Sequence, residues 1–282
     1  MIIFKNILGF KNHLRKLKND NITIGFAPTM GALHDGHTSL IKKSVLENDY
    51  SVVSIFINPT QFNNINDYES YPIDIFKDIE LLDSISENII LFTPDIDEIY
   101  SGKVVSDSYD FGDLDKYMEG EFRKGHFQGV ATVVHKLFEI VTPNNVYFGE
   151  KDFQQLRIIE DLVQRNRYKL NVIRCKTIRQ NDGLALSSRN KKLDISSQNI
   201  ATNLFKALSF AKKNFDTLDL EIIYAKVEDL LQNFPQISVD YFAIADENDL
   251  KPIKHKKKNQ KYRAFIAADI SGVRLIDNIK LY

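Results

Sequence analysis

Residues 21–49 read NITIGFAPTMGALHDGHTSLIKKSVLEND, and this stretch decides the fold class. Its first eight residues, 21–28, are short and rich in β-forming residues, which is typical of a strand. A loop with two glycines follows. After that loop, the spacing of Leu40, Ile41 and Val45 is typical of a helix. A strand, a glycine-containing loop and a helix in this order form the first unit of an alternating α/β chain.

The same alternation continues to about residue 180. Predicted strands lie at 50–58, 88–94, 145–150 and 170–179, and predicted helices lie at 73–85, 129–141 and 153–166. Strands that alternate with helices of this length predict a parallel sheet with right-handed crossovers. We therefore expect residues 1–179 to form one α/β domain with a parallel sheet.

The character of the chain changes after Arg179. Predicted helices lie at 197–214 and 219–233, and strand-like runs lie at 239–247 and 262–278. Two helices followed by two strand-like runs predict a smaller α+β domain. We expect this second domain to comprise residues 180–282.

Composition excludes several classes of protein. The 282 residues carry a formal net charge of −1, which argues against a broad nucleic-acid surface. The lysine-rich run at 251–261 lacks interleaved aromatic residues and predicts a solvated hairpin tip. The single cysteine, Cys175, rules out an internal disulfide and suits a reducing compartment. No apolar run approaches the length of a membrane span, so we expect a soluble cytoplasmic protein with no nucleic-acid or membrane partner.

Polar segments follow four of the predicted strands. They are TMGALHDGH at 29–37, NPTQF at 58–62, GEKDFQQ at 149–155 and DGLALSSRN at 182–190. In open parallel sheets, ligands bind beyond the carboxyl ends of the strands. We therefore expect these four segments to converge on one crevice.

The first polar segment is suited to binding an anion. A loop between a strand and a helix leaves backbone N–H groups and the positive end of the helix available. His34 and His37 would project beside that site and could donate to a phosphorus centre under attack. The alternatives are zinc ligation and burial in the core. Zinc would require further His, Cys or Asp ligands at suitable spacing, and the chain has neither an HExxH motif nor a cysteine pair.

The third polar segment places a cation at the start of a helix. Lys151 would oppose the helix dipole there unless an anion lies between them. Asp152 is suited either to capping the helix or to accepting a hydrogen bond from a ribose hydroxyl. Gln154 and Gln155 point in different directions on a helix, so only one of them can face the crevice. The simple expectation for Gln154 is exposure at the surface.

The remaining two segments suit phosphate and a small polar acid. The hydroxyls of Ser187 and Ser188 and the guanidinium of Arg189 can bind phosphate oxygens. Asn58 and Gln61 can orient hydroxyl and carboxylate groups of a small substrate. The chain lacks a P-loop, a GxGxxG sequence and kinase motifs. Together the four segments predict an ATP site, with attack on the α-phosphate, beside a pocket for a small polar acid.

A resemblance to a known family extends over nearly the whole chain. PTMGALHDGH, FINPTQF, YFGEKDFQQL and DGLALSSRN, in this order, resemble the pantothenate synthetase family, and GVRLIDN at 272–278 is similar to its C-terminal domain. The histidine motif resembles the HIGH signature of the wider nucleotidylyltransferase superfamily, which includes class I aminoacyl-tRNA synthetases. The SSR loop resembles their second, KMSKS-type phosphate loop. The resemblance implies a Rossmann-like N-terminal domain and a C-terminal lid domain.

The resemblance also implies a reaction. It implies an AMP-forming ligase in which pantoate attacks the α-phosphate of ATP, giving pyrophosphate and an enzyme-bound pantoyl adenylate. The amine of β-alanine then attacks the acyl carbon and gives pantothenate and AMP. Mg²⁺ bound to ATP and a homodimer formed through the N-terminal domains are expected. The alternative is a nucleotidylyltransferase acting on a small phosphate ester, which would leave the nucleotide on its product.

Residue by residue, the resemblance implies a set of site residues. His34, His37, Lys151 and Arg189 are matched to the catalytic residues, with His37 as the assigned proton donor. Gln61, Gln155 and Asn58 are matched to the pocket for pantoate and β-alanine, and no protein metal ligand is implied. The positions matched to the ATP site are Met30, Gly31, Ala32, Leu33, His34, Asp35, Gly36, His37, Gly149, Glu150, Lys151, Asp152, Ile178 (through its backbone, to adenine), Leu186, Ser187, Ser188 and Arg189.

The chain departs from the family at the expected mouth of the site. Ile73 and Asp74 stand where the family usually has Arg and Thr, and Gln128 stands where it usually has Arg. These differences remove positive charge, so we expect weaker substrate affinity and retained activity. The segment 118–127 matches a flexible flap of the family at Glu119, Arg123 and His126.

Overall fold

The structure is a computed structural model that describes residues 1–18 and 22–282. The described strands are β1 (Ile2–Phe4), β2 (Ile24–Thr29), β3 (Tyr50–Ile55), β4 (Ile89–Phe92), β5 (Asn145–Gly149), β6 (Asn171–Cys175), β7 (Ile237–Asp246), β8 (Tyr262–Ile270) and β9 (Val273–Lys280). The described helices are α1 (Ile7–Lys18), α2 (Asp35–Glu47), α3 (Ile65–Glu69), α4 (Ile75–Asp83), α5 (Ile96–Tyr100), α6 (Glu119–Phe122), α7 (His126–Val141), α8 (Phe153–Arg165), α9 (Ile195–Asn214) and α10 (Leu220–Gln232).

The described residues divide into two compact units. The first comprises Met1–Phe111, Arg123–Glu150 and Gln155–Lys176, and the second comprises Gly112–Phe122, Lys151–Gln154 and Thr177–Tyr282. The main change of unit lies three residues before the predicted boundary. Two short segments that precede this boundary, 112–122 and 151–154, also belong to the second unit. That residues 1–179 and 180–282 fold as separate domains stays a prediction.

The first unit contains a six-stranded parallel sheet in the order β1-β4-β3-β2-β5-β6. The predicted Rossmann-like parallel sheet is confirmed. β4 is buried along its whole length and β3 is buried at four of its six residues, as expected of strands covered on both faces. In the sheet, β3 and then β4 lie on one side of β2, and β5 and then β6 lie on its other side. The strand order therefore reverses between β2 and β5, which is the position where open α/β sheets bind ligands.

The second unit contains a three-stranded antiparallel sheet in the order β7-β8-β9, together with α9 and α10. The predicted α+β architecture is confirmed. The run at 262–278, expected as one strand-like run, contains two strands. They are joined by a tight turn at Ser271 and Gly272, whose φ angles are 53° and 83°. Gly272 adopts this left-handed conformation without a steric cost, which allows the chain to reverse there.

Several element boundaries differ from the predicted ones. β6 ends at Cys175, because the residues after it turn back on themselves: the Leu186 amide donates to the Ile178 carbonyl at 3.0 Å, and Arg179 pairs with Ala185. α2 begins at Asp35, so its start precedes the predicted one. β1 and α1 were not predicted. Asn21, the predicted first residue of the first strand, lies outside the described residues.

No helix in the described part of the chain combines the length and apolar character needed to cross a bilayer.

Candidate active site

The loop after β2 places two imidazoles side by side. His34 is the N-cap of α2, and its Nδ1 accepts a hydrogen bond from the Gly36 amide at 3.1 Å. His37 lies in the first turn of that helix, and the two ring centroids are 4.1 Å apart. Both residues are partly exposed, so neither lies fully within the buried core. A pair of half-buried imidazoles at the positive end of a helix is suited to an anionic ligand.

Several backbone amides of this loop already have partners within the protein. The Gly31 amide donates to Thr29 Oγ1 at 3.2 Å, and the Gly36 amide donates to His34. The Ala32 and Leu33 amides donate to the two carboxylate oxygens of Asp78 on α4. These four amides therefore have acceptors within the protein, and the prediction that the loop binds ATP stays a prediction.

Asn58 is a buried amide whose hydrogen-bonding positions are all occupied. It is 1% exposed. Its Nδ2 donates to Gln61 Oε1 at 3.1 Å and to the Gly129 carbonyl at 3.0 Å. Its Oδ1 accepts from Thr60 Oγ1 at 3.1 Å and from the Tyr100 hydroxyl at 2.5 Å. A primary amide has two donor and two acceptor positions, so Asn58 supports Gln61, and its direct contact with substrate stays a prediction.

Gln61 joins the loops after β2 and β3. Its Nε2 lies 3.0 Å from Met30 Sδ. Its backbone carbonyl is 2.7 Å from His126 Nδ1 and accepts from Arg123 at 3.3 Å. His126 is buried, so this end of the expected flap is anchored to the predicted substrate residue. Gly129 allows the close approach, because a Cβ there would lie 2.3 Å from the carbonyl oxygen of the residue before Gln61.

The departures from the family pattern have local partners. Asp74 caps α4, with its carboxylate accepting from the Lys77 amide at 3.2 Å. Ile73, directly before it, is exposed. The Gln128 side chain accepts from the Tyr109 amide at 2.7 Å and donates to the Tyr109 carbonyl at 3.0 Å. Gln128 therefore holds the backbone of the preceding loop, a role that a guanidinium, which only donates, could not fill in the same way.

The segment after β5 divides between the two units. Gly149 ends β5, and Glu150–Asp152 form a 3₁₀ turn before α8. In the second unit, Lys151 Nζ lies 3.4 Å from the Asp152 carboxylate. The Lys151 carbonyl accepts from Asn278 Nδ2 at 2.8 Å, which fixes the backbone below the ammonium group.

The two glutamines that follow have opposite surroundings. Gln154 is 4% exposed, so the expectation that it lies at the surface is wrong. Its Oε1 accepts from the Glu119 amide at 3.1 Å, and its Nε2 donates to the carbonyls of Leu114 and Tyr117 at 2.8 and 2.9 Å. The side-chain amide of Gln154 is therefore hydrogen-bonded within the protein through both its oxygen and its nitrogen. Gln155 is partly exposed and stays the candidate for substrate binding.

Glu119 is the centre of a buried ionic network in the second unit. Its carboxylate binds the Arg274 guanidinium in a two-pronged pair at 2.7 and 2.8 Å and accepts from the Tyr241 hydroxyl at 2.9 Å. Arg274 also binds Asp240 at 2.7 Å. Burial, followed by the nearby Glu119 carboxylate, raises the pKa of Tyr241 well above its usual value. Sequence reasoning named Glu119 but missed its partners, because they lie 122 and 155 residues away.

The SSR loop is held by its own capping interactions. Ser187 is the N-cap of a 3₁₀ turn at Ser188–Lys192, and its hydroxyl accepts from the Arg189 amide at 3.3 Å. The hairpin before it is fixed by the Leu186 amide on the Ile178 carbonyl. The predicted phosphate-binding residues thus sit on a loop with a defined local conformation.

Two of the predicted ATP residues line the same small cavity in the second unit. Lys151 and Ser187 lie there, although 36 positions separate them in the sequence. Asp277, at the same cavity, pairs with Arg179 at 2.6 and 2.8 Å, and this ion pair was missed by sequence reasoning. The other lining residues are Leu184, Ala185, Asn190, Leu204, Leu275 and Ile276.

Within residues 1–18 and 22–282, no three His, Cys, Asp or Glu side chains are grouped so that they could hold a metal ion. The zinc alternative for His34 and His37 therefore has no donor set in the described structure.

Comparison with protein families gives a match over nearly the entire chain. The family model described as "Pantoate-beta-alanine ligase" matches residues 2–280. A pantothenate synthetase of Flavobacterium psychrophilum is 46% identical over 281 residues, covering 100% of both chains. A pantothenate synthetase of Christiangramia forsetii is 45% identical over 268 residues, covering 95% of each.

Solved structures show the same similarity. The crystal structure of a pantothenate synthetase from Thermus thermophilus aligns over 100% of both chains, with a TM-score of 0.92 and 35% identity. A pantoate-beta-alanine ligase from Francisella tularensis, described as complexed with "Beta-gamma ATP" and β-alanine, aligns over 100% of this chain and 98% of that one. Its TM-score is 0.83 and its identity is 40%.

Proposed function

Because this chain belongs to the pantoate-beta-alanine ligase family, we propose that it forms pantothenate through an enzyme-bound pantoyl adenylate. The chain is an ATP-dependent ligase that joins pantoate to β-alanine. The proposal concerns how it does so. One observation carries it: the family match over residues 2–280 includes the four polar segments that follow β2, β3, β5 and β6.

In the first step, a carboxylate oxygen of pantoate attacks the α-phosphorus of ATP. The new C–O–P bond forms as the bond from that phosphorus to the bridging oxygen breaks, and the bond electrons leave with pyrophosphate. A carboxylate is already a nucleophile, so this step depends on alignment and charge stabilisation. We assign the stabilisation to His34, His37, Lys151 and Arg189, as donors to the phosphate oxygens. His37 acts as a hydrogen-bond donor in this scheme, and no proton transfer from it is required.

In the second step, the neutral amine of β-alanine attacks the acyl carbon of the adenylate. The C–N bond forms, the bond from the acyl carbon to the phosphate oxygen breaks, and AMP leaves with the electron pair. The amine nitrogen loses a proton to solvent water as the amide forms. We place the acid pocket beside Gln61, whose side chain is oriented by Asn58 and by Met30. Gln155 is its proposed partner on α8.

Mg²⁺ is proposed to accompany ATP. Mg²⁺ prefers substrate phosphates and waters with few protein ligands. The lack of a carboxylate and histidine cluster in the described residues fits a metal carried by the triphosphate. The ion would neutralise charge on the departing pyrophosphate. We also propose, from the family resemblance, a homodimer formed through the N-terminal domain and a cytoplasmic location, where ATP is supplied.

The test is exchange of radioactive pyrophosphate into ATP. If the adenylate forms before β-alanine reacts, pyrophosphate should exchange into ATP without β-alanine and only when pantoate is present. Other small hydroxy acids should give no exchange. Product analysis with β-alanine should give AMP and pantothenate in equal amounts. Absence of pantoate-dependent exchange would contradict the adenylate. A product that retains the nucleotide would instead favour a nucleotidylyltransferase.

A further inference from the structure

A buried carboxylate on α4 holds the turn that leads to the two imidazoles. Asp78 Oδ2 accepts from the Ala32 amide at 2.9 Å, and Asp78 Oδ1 accepts from the Leu33 amide at 2.8 Å. Asp78 is 4% exposed. Each oxygen of one carboxylate therefore binds one of two consecutive amides. Hydrogen bonds of this kind, from N–H groups to an ionised carboxylate, are stronger than bonds between neutral groups.

The backbone of this turn requires an external support. Gly31 has a φ of 81° and Ala32 a φ of 51°, so two successive residues are left-handed. That conformation is unfavourable for alanine, whose Cβ approaches its own carbonyl oxygen. A Cβ added at Gly31 would lie 3.0 Å from Asp78 Oδ2, so the carboxylate is packed closely against the turn. The turn keeps this shape because its amides are bound.

The turn is also held from the side of the sheet. Thr29 Oγ1 accepts from the Gly31 amide at 3.2 Å and donates to the Ser54 carbonyl on β3 at 2.7 Å. Three consecutive amides, at residues 31–33, are thus bound by two side chains from outside the turn. The next residue is His34, the N-cap of α2. The direction in which the imidazoles leave the sheet follows from how these amides are held.

We propose that Asp78 is a positioning residue for adenylation, which holds the 31–33 turn so that His34 and His37 meet the α-phosphate. The inference rests on the proposed function, because adenylation is the step that the imidazoles serve. Asp78 does not itself contact substrate in this scheme, since it is buried and its two oxygens bind backbone amides. Its effect on the reaction passes through the imidazoles.

The variant Asp78→Asn tests this role with little change in size. Its amide nitrogen would face one of the two backbone N–H groups, so one hydrogen bond is lost and two donors oppose each other. The matched control is Glu80→Gln, which makes the same change of charge on a more accessible residue of the same helix. We expect pantoate-dependent pyrophosphate exchange in Asp78→Asn to fall by at least about tenfold in kcat/KM for ATP. Glu80→Gln should stay within about twofold of wild type.

A double variant separates positioning from a general loss of structure. If Asp78 acts through the imidazoles, adding Asp78→Asn to His37→Asn should lower exchange by less than about threefold further, because residues that act as a unit are not additive. A full multiplicative loss would overturn the inference. Amide hydrogen exchange should also become at least about tenfold faster in Asp78→Asn at whichever of Ala32 and Leu33 loses its acceptor.

The outcomes distinguish this inference from the proposed function. Wild-type protein without pantoate-dependent exchange contradicts the adenylation mechanism. Wild-type activity in both Asp78→Asn and Glu80→Gln overturns only the role of Asp78. If Asp78→Asn does not fold, Asp78→Glu is the second variant. It keeps the charge but moves the carboxylate by one methylene relative to the two amides, so pantoate-dependent exchange should still fall, and wild-type exchange in Asp78→Glu overturns the role of Asp78.

Discussion

Gln61 Nε2 lies 3.0 Å from Met30 Sδ, and this contact joins the loop that follows β3 to the loop that follows β2. The Gln61 side chain is also bound by Asn58, and its backbone carbonyl is bound by His126. The proposed acid-binding amide is therefore oriented before any substrate arrives. Such preorganisation lowers the cost of binding a small polar ligand.

Gln61→Ala should raise the KM for pantoate by about tenfold or more, because a hydrogen-bonding group that orients the acid is removed. The KM for ATP should change little. Steady-state kinetics with each substrate varied in turn measure both values. Gln232→Ala, an exposed glutamine on α10, is the control. Equal increases in both KM values would argue against a pantoate-specific role.

His37→Asn should reduce the rate of pantoate-dependent pyrophosphate exchange by about 10²–10³-fold, the usual effect of removing one donor that stabilises developing charge. His255→Asn, in the exposed lysine-rich hairpin, should leave the rate unchanged. Rapid-quench measurement of adenylate formation gives the rate directly. An unchanged rate in His37→Asn would remove that imidazole from the mechanism.

The Cys175 thiol should be unreactive in the native protein. Burial raises its pKa to about 11, so at about pH 8 almost none of it is thiolate. Ellman's reagent at that pH should leave the native thiol intact and titrate one thiol in guanidinium chloride. Because the pKa is higher in the folded state, this group favours folding below about pH 9 and loses that contribution as the pH rises through about 11. Fast native labelling would show that the thiol is not packed in β6.

Breaking the Glu119–Arg274 pair should destabilise the protein. Arg274→Met leaves the buried Glu119 carboxylate without its main partner, and we expect a loss of roughly 3 kcal/mol in the free energy of unfolding. The double variant Glu119→Gln/Arg274→Met should recover part of that loss, because no charge is then left uncompensated. Urea denaturation of the wild type, both single variants and the double variant measures the coupling. Additive losses would show that the two side chains do not interact.

The sheet and its polar edge could be predicted because their signals are local. Apolar runs marked the strands, and the polar segments at 29–37 and 58–62 followed β2 and β3 as expected. The expectation about the backbone amides of the first loop failed because a residue distant in the sequence contacts them. Free amides were expected in the 31–33 turn, yet the carboxylate of Asp78, more than 40 residues later in the sequence, binds two of them.

The choice between Gln154 and Gln155 shows the same limit. Helical geometry indicates that the two side chains diverge, but it does not say which one is buried. Gln154 is buried because the backbone of the 112–122 segment supplies two carbonyls and an amide to its side chain. That segment is distant in sequence from Gln154, and no periodic pattern in the sequence predicts the contact between them. The ion pair between Glu119 and Arg274 could not be predicted from the sequence for the same reason.

The central claim is that His37, Lys151 and Arg189 act on one nucleotide. The most direct test is a crystal structure of the protein with pantoate, Mg²⁺ and an ATP analogue that carries a methylene between the α- and β-phosphorus atoms. We predict all three side chains within about 3.2 Å of phosphate oxygens of the same triphosphate, with the pantoate carboxylate in line with the α-phosphorus. A triphosphate bound without contact to these three side chains would contradict the account.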